Sequence, residues 1–257
     1  MADRERRCKA ACGLAIAQHR TQVRRIFDSI AWMYDGANHL LSAGLDHRWR
    51  ARAASACGLG PGATALDLCA GTGDLAIALV RRMGPRGRVV ALDFSRPMLE
   101  IARAKLARAG LACRVMLLEG AAEAVPLADA SVDAAASAFG LRNLEDPDRG
   151  LAEMVRVVRP GGRVVVLEFH QPSRRGMAAA ALGLYFRRIL PTLGRWASSG
   201  EAYAYLVRSV EAFGPVEAMA DRMRRAGLCG PHVEPLPGGI AAVYAGTKPA
   251  PRVFTRG

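Results

Sequence analysis

Six residues in two short stretches have the types and spacing to hold a charged cofactor. Asp67, Gly71, Thr72, Gly73 and Asp74 fall within eight positions, and Asp93 follows Gly73 by twenty. Glycines at such a turn let the backbone approach a ligand that a Cβ would keep away. An acidic residue about twenty positions beyond the turn accepts hydrogen bonds from ribose hydroxyls. Asp67 and Asp74 flank the turn, so it would serve a pyrophosphate poorly. A buried Asp67 needs donors or a positive partner, and a sulfonium cofactor with an α-amino group supplies positive charge. On electrostatic grounds S-adenosylmethionine is favoured over NAD. The plainer alternatives are an Asp67 bonded to loop N–H groups and an Asp93 that caps the next helix, a task Ser95 already fills.

A second set could act on a substrate. Arg142 and Asn143 follow the fourth predicted strand, and Glu168 and His170 end the fifth. Open sheets bind ligands at the carboxyl ends of their strands, so these residues lie at the right edge. Arg142 can stabilise an oxyanion directly or through a water; its alternative is a surface ion pair with Glu145 or Asp146. His170 titrates in the range of a general base, but a pocket-lining or surface place suits it better. Tyr34 is either a site residue beside Asp35 or core packing. His19, His39, His47 and His232 show no metal-ligand spacing, and no metal is expected.

The elements that must position these residues alternate. An apolar run Thr64–Leu68 reads as a buried strand, and helical periodicity resumes after Gly73 with Leu75, Ala76, Leu79 and Val80 on one face. Strands follow at 88–92, 114–118, 132–138 and 163–167. Between them lie helices from Gly73 to Met83, from Ser95 to about Ala109, and from Asp146 to Val158. Ser95 and Asp146 read as N-caps, each with proline just inside. Pro160-Gly161-Gly162 reads as a turn ahead of the fifth strand. Strands alternating with helices through short turns predict a mostly parallel sheet covered on both faces. Before the sheet, Val23–Tyr34 and a stretch from Asp46, a candidate N-cap, to about Cys57 read as helices that can lie over the ligand edge as a lid. After it come a helix from Met177 to Leu190, another from Pro215 to Ala226, and strands at 229–234 and 240–247. Residues 1–20 read as a poorly ordered leader, 21–248 as one domain with a helical insertion at 173–214, and 249–257 as a loose tail.

Composition narrows the classes. The 257 residues are 51% apolar, enough for one α/β domain with a full core. Net charge is +13, with only three lysines, so the positive charge is arginine spread along the chain. A solvated basic surface is favoured, contact with an anionic membrane second, and a nucleic-acid groove third. Six cysteines fit neither a zinc pattern nor a disulfide framework. Cys57, Cys69 and Cys113 read as small core residues in a reducing, cytoplasmic setting. No run approaches the ~18 apolar residues of a spanning helix.

ALDLCAGTGDLA, VVALDFSRPML, AEAVPLADASVDAAASAFGLRN, LAEMVRVVRPGGRVVVLEF and LPGGIAAVYAGTKP resemble the UbiE/COQ5/MenG family, as does the opening VRRIFDSIAWMYDGANHLLSAGLDHRWR. The resemblance spans about Val23 to Lys248, and Phe139-Gly140-Leu141-Arg142-Asn143 is its most specific motif. It implies a Rossmann-like class I methyltransferase fold: a seven-stranded doubly wound sheet with an antiparallel last strand. The implied reaction is S-adenosylmethionine-dependent C-methylation of a prenylated quinol. A menaquinone precursor is preferred and the ubiquinone branch second. Asp67, Gly71, Thr72, Gly73, Asp93, Phe94, Ala121, Ala122 and Ala138 form the expected cofactor set. The family usually has Asn-Ala where this chain has Ala121-Ala122, so the first position offers only its backbone. Arg142, Asn143 and Tyr34 are the expected substrate-side residues. The implied partners are the quinol and, peripherally, the membrane where it resides. The Met177–Leu190 helix, with Arg187 and Arg188, reads as core, as a homodimer surface, or as a membrane contact. An RNA methyltransferase and an NAD-dependent dehydrogenase remain the competing readings.

Overall fold

The computed structural model describes residues 42, 44–170, 208–210, 212–237 and 240–250. The Val23–Tyr34 helix, Tyr34 itself, the leader and the Met177–Leu190 helix lie outside the described residues.

A seven-stranded sheet organises everything described. Its strands are β1 (Thr64–Leu68), β2 (Arg88–Asp93), β3 (Val115–Glu119), β4 (Val132–Ala138), β5 (Val158–Phe169), β6 (Cys229–Pro235) and β7 (Ala241–Thr247). They lie in the order β3-β2-β1-β4-β5-β7-β6. β7 runs antiparallel to both its neighbours, and the other pairings are parallel. The order reverses between β1 and β4, and a crevice at the carboxyl ends of such a pair is where open sheets bind ligands.

Among the described residues five α-helices cover the two faces: α1 (Asp46–Ala56), α2 (Asp74–Arg82), α3 (Arg96–Arg108), α4 (Pro147–Val157) and α5 (Val216–Arg225). Side chains alternate faces along a strand, and the burial follows that period. Ala65, Ala134, Ala136, Val165 and Leu167 pack in one core with Trp49 and Ala53 of α1 and Leu75, Leu79 and Val80 of α2. Leu66, Ala135, Val164 and Val166 pack in the other with Leu151 and Met154 of α4 and Met219 and Met223 of α5. Asp67 therefore faces the α1–α2 side.

Several local expectations hold. Ser95 Oγ accepts from the Met98 amide at 3.4 Å, and an Asp146 oxygen accepts from the Arg149 amide at 2.9 Å. Three are corrected. Leu45, not Asp46, is the N-cap of α1; Asp46 is the first helical residue, its carboxylate turned to Arg50. Pro160-Gly161-Gly162 is not a turn before β5 but an irregularity within it: pairing passes from Val132↔Val158 to Ala134↔Arg163. Gly161 takes φ +81 there, and a Cβ on Gly162 would stand 2.4 Å from the Asp133 carbonyl oxygen. Cys113 is exposed on a 3₁₀ turn, Ala112–Arg114, rather than buried. Among the described residues no helix is long and apolar enough to cross a membrane.

Candidate active site

The carboxyl end of β1 turns through Cys69 and Gly71, both with positive φ (60° and 53°), into Gly73 at φ +85 and then α2. Space beside Gly71 is open: a Cβ there would meet nothing within 4 Å. Gly73 has a different task. A Cβ on it would come 3.2 Å from that of Ala102, so its absence lets α3 pack against the turn.

Asp93 ends β2 and ties the corner together. One carboxylate oxygen accepts from the Gly71 amide at 2.8 Å and the other from the Ser95 amide at 2.9 Å. The bond to a loop N–H that Asp67 might have made is thus made by Asp93. Asp67 is fully buried, and neither of its oxygens completes a hydrogen bond among the described residues. Burial, then Asp93, push its carboxyl well above the ordinary range. The amide of Ala76 in α2 and the guanidinium of Arg50 oppose that rise more weakly. A buried carboxyl without donors is costly, and a ligand cation at this point would relieve it. Thr72 is buried, and Lys105 of α3 donates to its Oγ1 at 3.3 Å while also pairing with Asp74.

Two adjoining cavities occupy the crevice. The first is lined by Arg50, Asp67, Cys69, Ala70, Gly71, Thr72, Asp74, Leu75 and Ala138. The second shares Cys69, Gly71 and Ala138 with it and adds Asp93, Phe94, Phe139, Gly140 and Asn143. Seven of the expected residues, Asp67, Gly71, Thr72, Asp93, Phe94, Ala138 and Asn143, line one or both cavities. Ala121 and Ala122, just beyond β3, line neither; Gly120 beside them is held by the Asp93 carbonyl at 2.9 Å. Arg142 also lies outside both linings.

Directly after β4 comes Phe139, a non-glycine residue at φ +59. Such a conformation costs about 1–2 kcal/mol, and the surroundings enforce it. The Phe139 amide donates to Leu167 O at 2.8 Å. Its carbonyl accepts from Arg142 Nη1 at 2.7 Å and from Asn143 Nδ2 at 3.1 Å. Gly140 fits because Cys69 is there: a Cβ would come 2.3 Å from that of Cys69. The Phe139 and Phe169 rings stack at 4.5 Å between centroids, and Trp49 of α1 meets both. Arg50 lies over Phe139 and Arg142 over Phe169.

Arg142 pairs with neither Glu145 nor Asp146. Its Nη1 is 2.5 Å from Glu168 Oε1, with the arginine side chain 7% and the glutamate 0% exposed. Burial raises the Glu168 carboxyl even against the opposing pull of Arg142. Arg142 Nε is buried and has no partner among the described residues. His170 is buried rather than at the surface, its amide bonded to Ile240 O at 3.0 Å. Sequence reasoning missed Arg50, Lys105 and the aromatic cluster as site components. Arg50 stands in the quoted stretch HRWR, but nothing local says that it faces Asp67.

The chain matches the ubiE/COQ5 methyltransferase family over residues 15–248. The chain belongs to that family. It is 44% identical over 225 residues to the demethylmenaquinone methyltransferase of Thermus thermophilus, covering 87% of this chain and 100% of the relative. It is 39% identical over 228 residues to that of Desulfitobacterium hafniense, covering 88% and 90%. The ubiquinone/menaquinone biosynthesis C-methyltransferase of Hahella chejuensis is 37% identical over 234 residues, covering 91% and 94%. Among solved structures, a SAM-dependent methyltransferase from Aquifex aeolicus superposes with TM-score 0.53 at 22% identity, covering 74% of this chain and 85% of that one. A (4+2)-cyclase superposes with TM-score 0.60 at 18% identity, covering 89% and 96%. The fold alone therefore does not fix the chemistry; family membership does. The chain is a methyltransferase and its cofactor is S-adenosylmethionine. The corner fits that group: the buried Asp67 carboxyl has no hydrogen-bond partner among the described residues, and the space beside Gly71 admits a ligand to the backbone.

Proposed function

We propose that this chain methylates a ring carbon of a prenylated quinol, converting demethylmenaquinol to menaquinol. One observation carries the reading. Gly71 and Asp93 of the cofactor corner line the same cavity as Phe139, Gly140 and Asn143 of the family-specific segment, which supports a reading in which donor and acceptor share one space. Two of the relatives above are demethylmenaquinone methyltransferases, which favours the naphthoquinol branch over the benzoquinol one.

The cofactor supplies an electrophilic methyl group on a sulfonium centre. Asp93 would take its ribose hydroxyls, with Gly71, Thr72, Phe94 and Ala138 around it and Ala121 and Ala122 toward the adenine. Asp67 would answer the positive end. On the acceptor side, a quinol carbon becomes nucleophilic as the neighbouring hydroxyl loses its proton. Arg142 lowers the cost of that oxyanion. Glu168 holds the guanidinium through Nη1, and the buried Nε–H has no partner among the described residues. Asn143, anchored on Phe139 O, orients the ring edge, and Tyr34 is the third residue assigned to this side. Holding both reactants in line contributes most of the effect. A polyprenyl tail resides in lipid, so the chain must work at a membrane surface. A net charge of +13 suits an anionic one.

The test is transfer of labelled methyl from S-adenosylmethionine to reduced demethylmenaquinone, beside a reduced benzoquinone precursor. Label in menaquinol, with at least tenfold less in the benzoquinol, is expected. Label in the benzoquinol alone, or in neither, would overturn the reading.

A further inference from the structure

The cavity beside Asp67 poses a charge problem. A methionine moiety carries an ammonium and a carboxylate, and two of the groups lining this cavity, Asp67 and Asp74, are acids. They suit the ammonium and repel the carboxylate. The cation in that lining is Arg50, which reaches the cavity from the first half of α1 and is only 6% exposed. Lys105 is no substitute, because its Nζ is taken up by Thr72 Oγ1 and Asp74.

Arg50 is also held as a binding group would be. Its Nη1 pairs with Asp46, one turn back on α1. Asp46 in turn accepts from Ser42 Oγ at 3.0 Å, and both of these residues are buried. The Phe139 ring lies 5.6 Å from the guanidinium carbon. A guanidinium has five N–H donors in a fixed fork, and among the described residues Asp46 is the one hydrogen-bond acceptor Arg50 has. A fork fixed at one edge and open at another matches a carboxylate.

We propose that Arg50, steadied by Asp46 and Ser42, binds the carboxylate of the methionine moiety of S-adenosylmethionine. The ammonium then falls to Asp67. α1 thereby contributes directly to cofactor selection. It makes the site discriminate between an intact amino-acid end and one lacking the carboxylate. The inference rests on the cofactor corner lying where the previous section reads it.

The experiment measures calorimetric dissociation constants for S-adenosylmethionine and for decarboxylated S-adenosylmethionine, which differ only in that carboxylate. Wild-type protein is expected to prefer the intact cofactor by about tenfold or more, the range of a charge-assisted pair. The double variant Arg50→Gln/Asp46→Asn removes both buried charges together, so neither is stranded. It is expected to lose about tenfold or more toward the intact cofactor and less than about twofold toward the decarboxylated one. Arg50→Lys should recover part of the preference. Equal binding of the two ligands by wild-type protein would overturn the proposal without any variant. Equal weakening toward both ligands in the double variant would also overturn it, since that marks a merely structural role. Asp93→Asn separates this from the parent reading: it should weaken both ligands alike. If it weakened neither, the location of the corner would fall, whatever Arg50 did.

Discussion

The two edges of the sheet hold opposite kinds of cavity. At the amino ends of the strands a cleft of about 780 Å³ is lined by residues 57–63, Asp133 and residues 159–163. Its charged groups are occupied. Asp133 accepts from the Thr64 amide at 2.8 Å and from Arg159 at 2.7 Å, and Arg163 donates to Ala56 O at 2.9 Å. At the carboxyl ends the two cavities are small, but Asp67, which lines one of them, and Arg142 Nε, beyond both linings, have no hydrogen-bond partner among the described residues. Two of the three non-glycine residues with positive φ among those described, Cys69 and Phe139, stand there as well. Volume therefore does not single out the candidate site in this molecule. Buried charge held without full satisfaction, and backbone held against its preference, do.

The sharpest way to break that contrast is to remove the charge at the carboxyl edge. Arg142→Ala should lower the methyl-transfer rate by about 100- to 1,000-fold, the scale of one lost preorganised donor, while cofactor affinity stays within about twofold. It should also destabilise the fold by about 3–5 kcal/mol, because Glu168 is left buried and unpaired. The double variant Arg142→Met/Glu168→Leu should recover most of that melting temperature and none of the rate. If the rate returned with stability, Arg142 would be only a structural partner.

Asp93→Ala comes next. It removes the acceptor for the Gly71 and Ser95 amides together with the expected ribose contact. A fall of about 30- to 100-fold in cofactor affinity is expected, from roughly 2–3 kcal/mol of charge-assisted bonding. Calorimetry checks it, and unchanged affinity would shift the site elsewhere.

Asp67 sharpens the comparison through pH. Its folded-state pKa lies above that of the unfolded chain, so the apo protein binds the extra proton. Its contribution to stability is then complete below the ordinary carboxyl pKa of about 4 and is lost as pH rises through the folded value. A cofactor cation pulls that value down, since it favours the carboxylate. Binding should therefore release a proton, and affinity should strengthen with pH across the titration. Asp93, Asp74 and Arg50 face the same carboxyl, so the slope belongs to Asp67 only if Asp67→Asn flattens it. An unchanged slope in that variant would assign the proton to a neighbour.

The smallest effect belongs to the amino edge. Arg159→Ala breaks a pair whose side chains are 52% and 35% exposed, so solvent screening leaves a loss of at most about 1 kcal/mol. Methyl-transfer rate should not move. A rate loss there would mean that the large cleft takes part after all.

The glycine corner was legible because it is local. Thr64–Leu68, the open space at Gly71 and the switch to helical period after Gly73 all lie within a dozen residues, and propensity acts over such distances. The caps at Ser95 and Asp146 were legible for the same reason. Asp46 was misread because the same residue type can cap a helix or pair one turn along it, and Arg50 four positions on decided between them. Pro160-Gly161-Gly162 reads as a turn on dihedral grounds, yet β4 beside it draws the segment into the sheet as a bulge. Cys113 follows an apolar run and still faces solvent, because the chain there makes a 3₁₀ turn before β3.

The sequence by itself determined which residues could bind a cofactor and the family motif that carries the substrate side, since both are short patterns of residue type. Tertiary structure alone decided that Arg142 pairs with Glu168, twenty-six positions away, and that Arg50 reaches the cavity of Asp67. The order β3-β2-β1-β4-β5-β7-β6 sets the ends of β1, β4 and β5 side by side. Pairing and desolvation depend on such neighbours in space, which no local spacing encodes.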